Sequence, residues 1–147
     1  MALNEEIEWV AYKIKNSLWD VINQTRWAYQ RVVRGWDDRA IWSVDYFITG
    51  NLIPILEAFK SSGYLGIPIE VYAKYNPEYH LGVQSDWADE QAVQEWKGII
   101  DKIIEGFKAA KRLQDDIYVD KEDYRKEVNT FKEGMHLFTE YFFDLWD

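Results

Sequence analysis

Cysteine is absent from this 147-residue chain. It therefore has no disulfide framework and no thiolate nucleophile, which fits a reducing compartment. Histidine occurs only as His80 and His136. Triad chemistry needs a base held beside a serine, and no serine stands in a G-x-S-x-G context. A glycine-rich phosphate loop is also missing. No apolar run reaches the roughly 18 residues that a membrane-crossing helix needs. The opening "MALNEEIEWV" has neither the basic nor the apolar region of a secretory signal. Proline is scarce, three residues in all. With glycine it gathers between Gly63 and Gly82, which marks one break in the chain. These absences predict a cytoplasmic protein that is not an enzyme, with no cofactor, no metal and no membrane contact.

The composition that remains is acidic and aromatic. A formal net charge of −9 and a pI near 4.7 argue against long nucleic acids as partners. They leave room for a small anion held by a local basic island. Eight tryptophans and ten tyrosines exceed what a core alone needs, and both residues favour protein interfaces and base stacking. A homo-oligomer, dimer or tetramer, is expected. The length suits one helical domain over 1–147, with an insertion at about 63–85.

Apolar spacing predicts the helices. The first runs from about Asn4 to Arg34, on a stripe of Ile7, Val10, Ile14, Leu18, Ile22, Tyr29 and Val33 that also carries Arg26. Gly35 closes it as a left-handed C′ residue. Asp37 then caps a second helix to about Lys60, with Pro54 as a possible kink. A third starts at Ser85 or Asp86 and ends near Leu113, with Trp96, Ile99, Ile100, Ile103 and Phe107 on one face. The fourth alternates four- and three-residue steps through Tyr124, Val128, Phe131, Met135, Phe138, Phe142 and Leu145. The only strand candidate is "IPIEVYAKY", 67–75. The expected fold is all-α: a four- to five-helix bundle with a long loop or short β-ribbon inserted between helices two and three.

Two acidic motifs carry little chemistry. Glu133 and His136 match one Glu-x-x-His, but a di-iron bundle needs two such motifs and two further glutamates. Glu5 and Glu8 match half of the acidic pattern of all-α nucleotide pyrophosphatases, and the partner Glu-x-x-Asp is missing. A solvated helix N-terminus explains these acids as well.

The stretch "RWAYQRVVRGWDDR", 26–39, is different. Trp27, Arg31 and Arg34 share a helix face roughly opposite Tyr29 and Val33. Trp36 and Arg39 follow across the Gly35 corner. Arginine binds phosphate bidentately and stacks on rings, so Arg31, Arg34, Arg39, Trp27 and Trp36 suit a nucleotide. The same arginines could instead brace the corner. Arg26, on the apolar stripe, is expected to pair with Asp45 inside the bundle. A second candidate is the insertion, where "VYAKYNPEYH" gathers Tyr72, Lys74, Tyr75, Tyr79 and His80 as a ligand lid or a subunit-contact arm.

"RWAYQRVVRGWDDRAIWSVDYFI" and the closing "FKEGMHLFTEYFFDLWD" resemble a family of small helical proteins from tailed-phage genomes. The likeness rests on Arg34, Gly35, Trp36, Asp38, Trp42 and Asp45, and on the terminal Leu145, Trp146 and Asp147. It covers about a quarter of the chain. Through that family the chain resembles viral nucleotide sponges of the anti-CBASS type. The resemblance implies immune evasion in the cytoplasm of an infected bacterial host, by a homo-oligomer that sequesters a cyclic dinucleotide or similar signal without turnover. Two other readings stay open: an interaction protein whose arginines brace the helices, and a metal-dependent nucleotide pyrophosphatase.

Overall fold

In a computed structural model the described residues are 2–62, 66–77, 86–115 and 120–145, with side chains described for 7–62, 66–77, 90–115 and 120–145. Every regular element among them is helical: α1 (Ala2–Arg34), a 3₁₀ turn (Asp38–Ile41), α2 (Val44–Ser61), α3 (Ile69–Tyr75), α4 (Asp86–Gln114), α5 (Lys121–Glu140) and a closing 3₁₀ turn (Phe142–Asp144). The chain forms two compact units, Met1–Val44 and Asp45–Asp147.

The first unit is α1 and the turn that follows. The α1 sequence has no proline and no glycine to stop it. It ends at Gly35, whose φ of +77° is the left-handed conformation that favours glycine, and whose N–H donates to the Arg31 carbonyl at 2.9 Å. The apolar stripe predicted to face a core is exposed from Ile7 to Val33. The one buried residue described in this unit is Asp37. The predicted second helix is interrupted. Asp37 caps only the short 3₁₀ turn by accepting from the Arg39 N–H, and α2 starts afresh at Val44.

The second unit has α4 at its centre. Trp96, Ile100 and Ile103 of α4 are fully buried and contribute about 1.5–3 kcal/mol each. α2 runs antiparallel to α4, as its polar ties show: Tyr46 to Asp115, Thr49 to Gln114, Glu57 to Lys108 and Lys60 to Asp101. Leu56 of α2 joins the core, and Leu52, Ile53 and Phe59 pack against it. α5 is antiparallel to α4 as well, with Lys102 bonded to Glu133 and Arg112 to Glu127. The Phe138 seam expected of the fourth helix is used here. Phe138 meets Phe107 edge-on at 5.2 Å, and Tyr141 meets Trp96 at 5.3 Å.

The strand candidate is a helix. Tyr72 N–H donates to the Pro68 carbonyl and Asn76 N–H to the Tyr72 carbonyl, so the segment closes helical turns from the proline onward. Val71 and Tyr75, four apart, then share a side with Tyr72, and Val71 and Tyr72 are buried. The alternation at 67–75 arose because the residues between the apolar ones are mixed, and both periods fit so short a run. The remainder of the expected loop or ribbon, 63–65 and 78–85 with Tyr79 and His80, lies outside the described residues.

α4 and α5 touch backbone to backbone at Gly106 and Gly134. A Cβ on Gly134 would stand 2.5 Å from the Gly106 Cα and 2.9 Å from the Lys102 carbonyl oxygen. Neither neighbour is a side chain that can swing away. Gly134→Ala should therefore destabilise the second unit by about 1–3 kcal/mol, read as a fall in thermal midpoint. An unchanged midpoint would contradict the contact.

Candidate functional site

The arginine island is a closed polar clasp. On α1, Arg26, Gln30 and Arg34 follow one another at four-residue steps and form a ridge. Trp27 and Arg31 form the adjacent ridge. Gly35 reverses the chain and lays Asp37 and Asp38 onto both. Asp38 receives Arg26 and Gln30 Nε2 (2.9 Å) on Oδ2 and Arg34 Nη2 (2.9 Å) on Oδ1. Its backbone N–H donates to Gln30 Oε1 at 3.0 Å, so Gln30 grips residue 38 at two points. Asp37 receives Arg31 Nε (2.6 Å) and Arg39 Nη2 (2.8 Å) on Oδ2, and Arg39 Nε (2.9 Å) on Oδ1.

The rings complete the clasp. The Arg34 guanidinium lies 4.2 Å from the centre of the Trp36 ring, and that of Arg39 lies 4.3 Å from Trp27. Each geometry is a cation–π contact. The structure thus brings Arg31, Arg34, Arg39, Trp27 and Trp36 together, as the sequence predicts. The expected Arg26–Asp45 pair inside a core is corrected. Arg26 is bonded to Asp38, and its side chain is 59% exposed. The stripe that carries it is not a core face, so no buried charge needs Asp45.

Sequence reasoning missed Gln30, and missed Asp37 and Asp38 as the arginines' partners. Their signal was present: Gln30 stands four residues from both Arg26 and Arg34, and Asp38 four residues past Arg34. Four guanidiniums share two carboxylates, which leaves two positive charges over. Asp37 is 6% exposed at its side chain, whereas Arg31 is 59% exposed. Asp37 is thus covered, while Asp38, at 30%, is nearly as exposed as Arg34, at 37%.

The insertion residues have a separate role in the second unit. Lys74 and the Tyr75 hydroxyl, at 2.6 Å, both donate to Glu95 of α4. These bonds hold the Glu95 carboxyl below its ordinary range and push both Lys74 and Tyr75 upward. Buried Tyr72 accepts from Asn76 Nδ2 at 3.2 Å. Lys74 and Tyr75 thereby dock α3 on α4. Elsewhere in this unit Glu133 is bonded to Lys102, and exposed His136 lies 3.8 Å from Glu140. Among the described residues no group of three or more acids and histidines could hold a metal ion. Glu8 is exposed, and the Glu5 side chain lies outside the described residues.

Compared with protein-family models, curated proteins and solved structures, the chain matches none.

The clasp has a pH signature. Hydrogen bonds from Gln30 and then Arg34, with Arg26 adding its bond and its charge, lower the Asp38 pKa from an ordinary 3.8 to about 2. A depressed carboxyl stabilises the fold above its unfolded value, and the contribution is lost as pH falls through the folded one. Turn structure should therefore weaken between about pH 4 and pH 2. Carbon-detected NMR titration should place Asp38 near 2, and Gln30→Ala should raise it. An ordinary titration, indifferent to Gln30, would contradict the clasp.

Proposed function

We propose that the chain is a non-enzymatic interaction protein. Its first helix offers an apolar stripe to a partner, and its arginine–aspartate clasp, which meets that stripe at Arg26, fixes the turn after the helix. The observation that carries this reading is the exposure of Ile7, Val10, Ile14, Leu18, Ile22, Tyr29 and Val33 along one side of α1. Helices gain most of their stability in proteins from packing such a face. Exposed apolar patches of this extent mark interaction surfaces. The clasp supports the same reading, because every arginine of the island already has an aspartate partner. A homo-oligomer, dimer or tetramer, follows from this reading. No helix among the described residues is long and apolar enough to cross a membrane.

A second reading is favoured by one observation, the charge left over at the clasp. Its exposed guanidiniums and two tryptophans suit a phosphate-bearing ligand beside Gly35. The reading is a phage-type sponge that holds a small nucleotide, such as a cyclic dinucleotide, without altering it. Losing one charge-assisted contact would weaken binding by roughly tenfold to a hundredfold.

Two measurements separate these readings. Ile14→Gln/Leu18→Gln should leave the unfolding of the second unit unchanged, whereas Ile100→Ala should cost it about 2–5 kcal/mol. A matching loss from the stripe variant would make the stripe core and sink the interaction reading. Titration with a panel of cyclic and linear nucleotides should show no saturable binding if the clasp only braces. Saturable binding that Arg31→Ala weakens, with the ligand recovered intact after heating, would instead support the sponge.

A further inference from the structure

We propose that the outer edge of the clasp, where Asp37 holds the Arg31 and Arg39 guanidiniums side by side, binds the doubly charged terminal phosphate of a small soluble molecule. This inference rests on the second reading above, that the charge left over at the clasp takes a phosphate-bearing ligand. It goes further by naming the atoms that bind and the class of phosphate they select.

Hydrogen-bond capacity locates the site. An ionised carboxylate has about four acceptor positions. Those of Asp37 are filled: Oδ1 accepts from the Arg39 N–H (3.0 Å) and Nε (2.9 Å), and Oδ2 from Arg31 Nε (2.6 Å) and Arg39 Nη2 (2.8 Å). Each guanidinium has more donors than these bonds use. Among the described residues, neither Nη of Arg31 nor Nη1 of Arg39 has an acceptor. The buried acid is saturated, and the donors left over belong to two side chains that solvent reaches. Such an edge suits a ligand that only accepts.

The donors are also set in place. Arg31 and Arg39 give a hydrogen bond to the same oxygen, Asp37 Oδ2, so their ends are neighbours. Arg39 lies 4.3 Å from the centre of the Trp27 ring, and a stacked guanidinium keeps its N–H edge outward. Two neighbouring guanidiniums can each grip different oxygens of one phosphate. Because Asp37 and Trp27 already order them, little ordering is left to binding.

Charge selects the class. The clasp has four guanidiniums and two carboxylates. The negative end of the α1 dipole offsets only about half a charge. A phosphate monoester carries about −1.5 to −2 at neutral pH, a diester only one charge, so the monoester is the better match. Trp27 and Trp36 are half-buried and each has a guanidinium over its ring, which leaves little free face for a base. The phosphate therefore leads recognition. Arg31 stands on the helix face away from the apolar stripe, so a phosphate here leaves the stripe free for a partner.

The test uses the full chain and four probes: inorganic phosphate, adenosine 5′-monophosphate, adenosine 3′,5′-cyclic monophosphate and phosphatidate vesicles. Calorimetry should show saturable binding of the first two. The cyclic diester, with the same base, should bind about threefold to tenfold more weakly at low salt, and the gap should narrow at high salt. Arg31→Ala should weaken phosphate binding about tenfold at unchanged helicity. Arg31→Lys, which keeps the charge and loses the fork, should weaken it similarly. Arg125→Ala, at an exposed arginine of α5, should leave it unchanged. In the unaltered chain, phosphate should shift the Nε–H resonances of Arg31 and Arg39 and not that of Arg125. Equal binding of the cyclic diester, still lost in Arg31→Ala, would overturn the choice of monoester and leave the second reading standing. Binding to the vesicles that depends on Arg31 would overturn the small soluble ligand. Binding that neither moves the Arg31 resonance nor responds to its variants would overturn the site. Absence of phosphate and monophosphate binding would overturn the inference, and the second reading falls with it only if the nucleotide panel is silent too.

Discussion

Asp37 and Asp38 stand where the chain leaves α1, and between them they draw in four guanidiniums, one glutamine and two indoles. A tight turn off an exposed helix has little apolar area with which to hold itself. Here charge-assisted hydrogen bonds take that part, with Asp37 buried beneath Arg31 and Arg39. Such bonds contribute about 1.5–3 kcal/mol each when sheltered, and less here, where all four guanidiniums are partly exposed. Gly35 makes the clasp possible, because only a left-handed residue reverses the chain sharply enough to bring the acids back onto Arg26 and Gln30. The location of the clasp matters as much as its strength. Most of it lies on the polar side of α1, and it reaches the apolar stripe only at Arg26.

The second unit is organised on the opposite principle. Its stability comes from buried rings and aliphatic side chains around α4, and its polar groups form ties at the rim. α4 and α5 approach so closely at Gly106 and Gly134 that their neighbouring aromatics, Phe107 and Phe138, can meet edge-on. α3 is held by Val71 and Tyr72 from within and by Lys74 and Tyr75 on Glu95 from outside. A protein so divided keeps a self-sufficient core in one unit and an apolar surface in the other.

Much of this was legible in the sequence, and the failures have physical causes. All five helices lie within or close to predicted segments, except α3, where seven residues are too few to separate a period of two from one of 3.6. The arginine–tryptophan gathering was legible because Arg31 and Arg34 share a face with Trp27. Its internal partners were not, because residue spacing along a helix says nothing about a chain that folds back over it. The largest misreading was the α1 stripe. Periodicity reports that a helix has an apolar side, but not whether that side is covered by its own chain or by another. Arg26 beside that stripe was accordingly assigned a buried partner, Asp45, that it does not need.

Whether the apolar side of α1 is an outer surface can be measured by hydrogen exchange along Ile14–Ile22 as a function of protein concentration. The account predicts that these amides exchange readily at high dilution and become protected as concentration rises, while those of Ile100 and Ile103 stay protected throughout. Strong protection of Ile14–Ile22 that is independent of concentration would mean that the chain covers this face itself, and would contradict it.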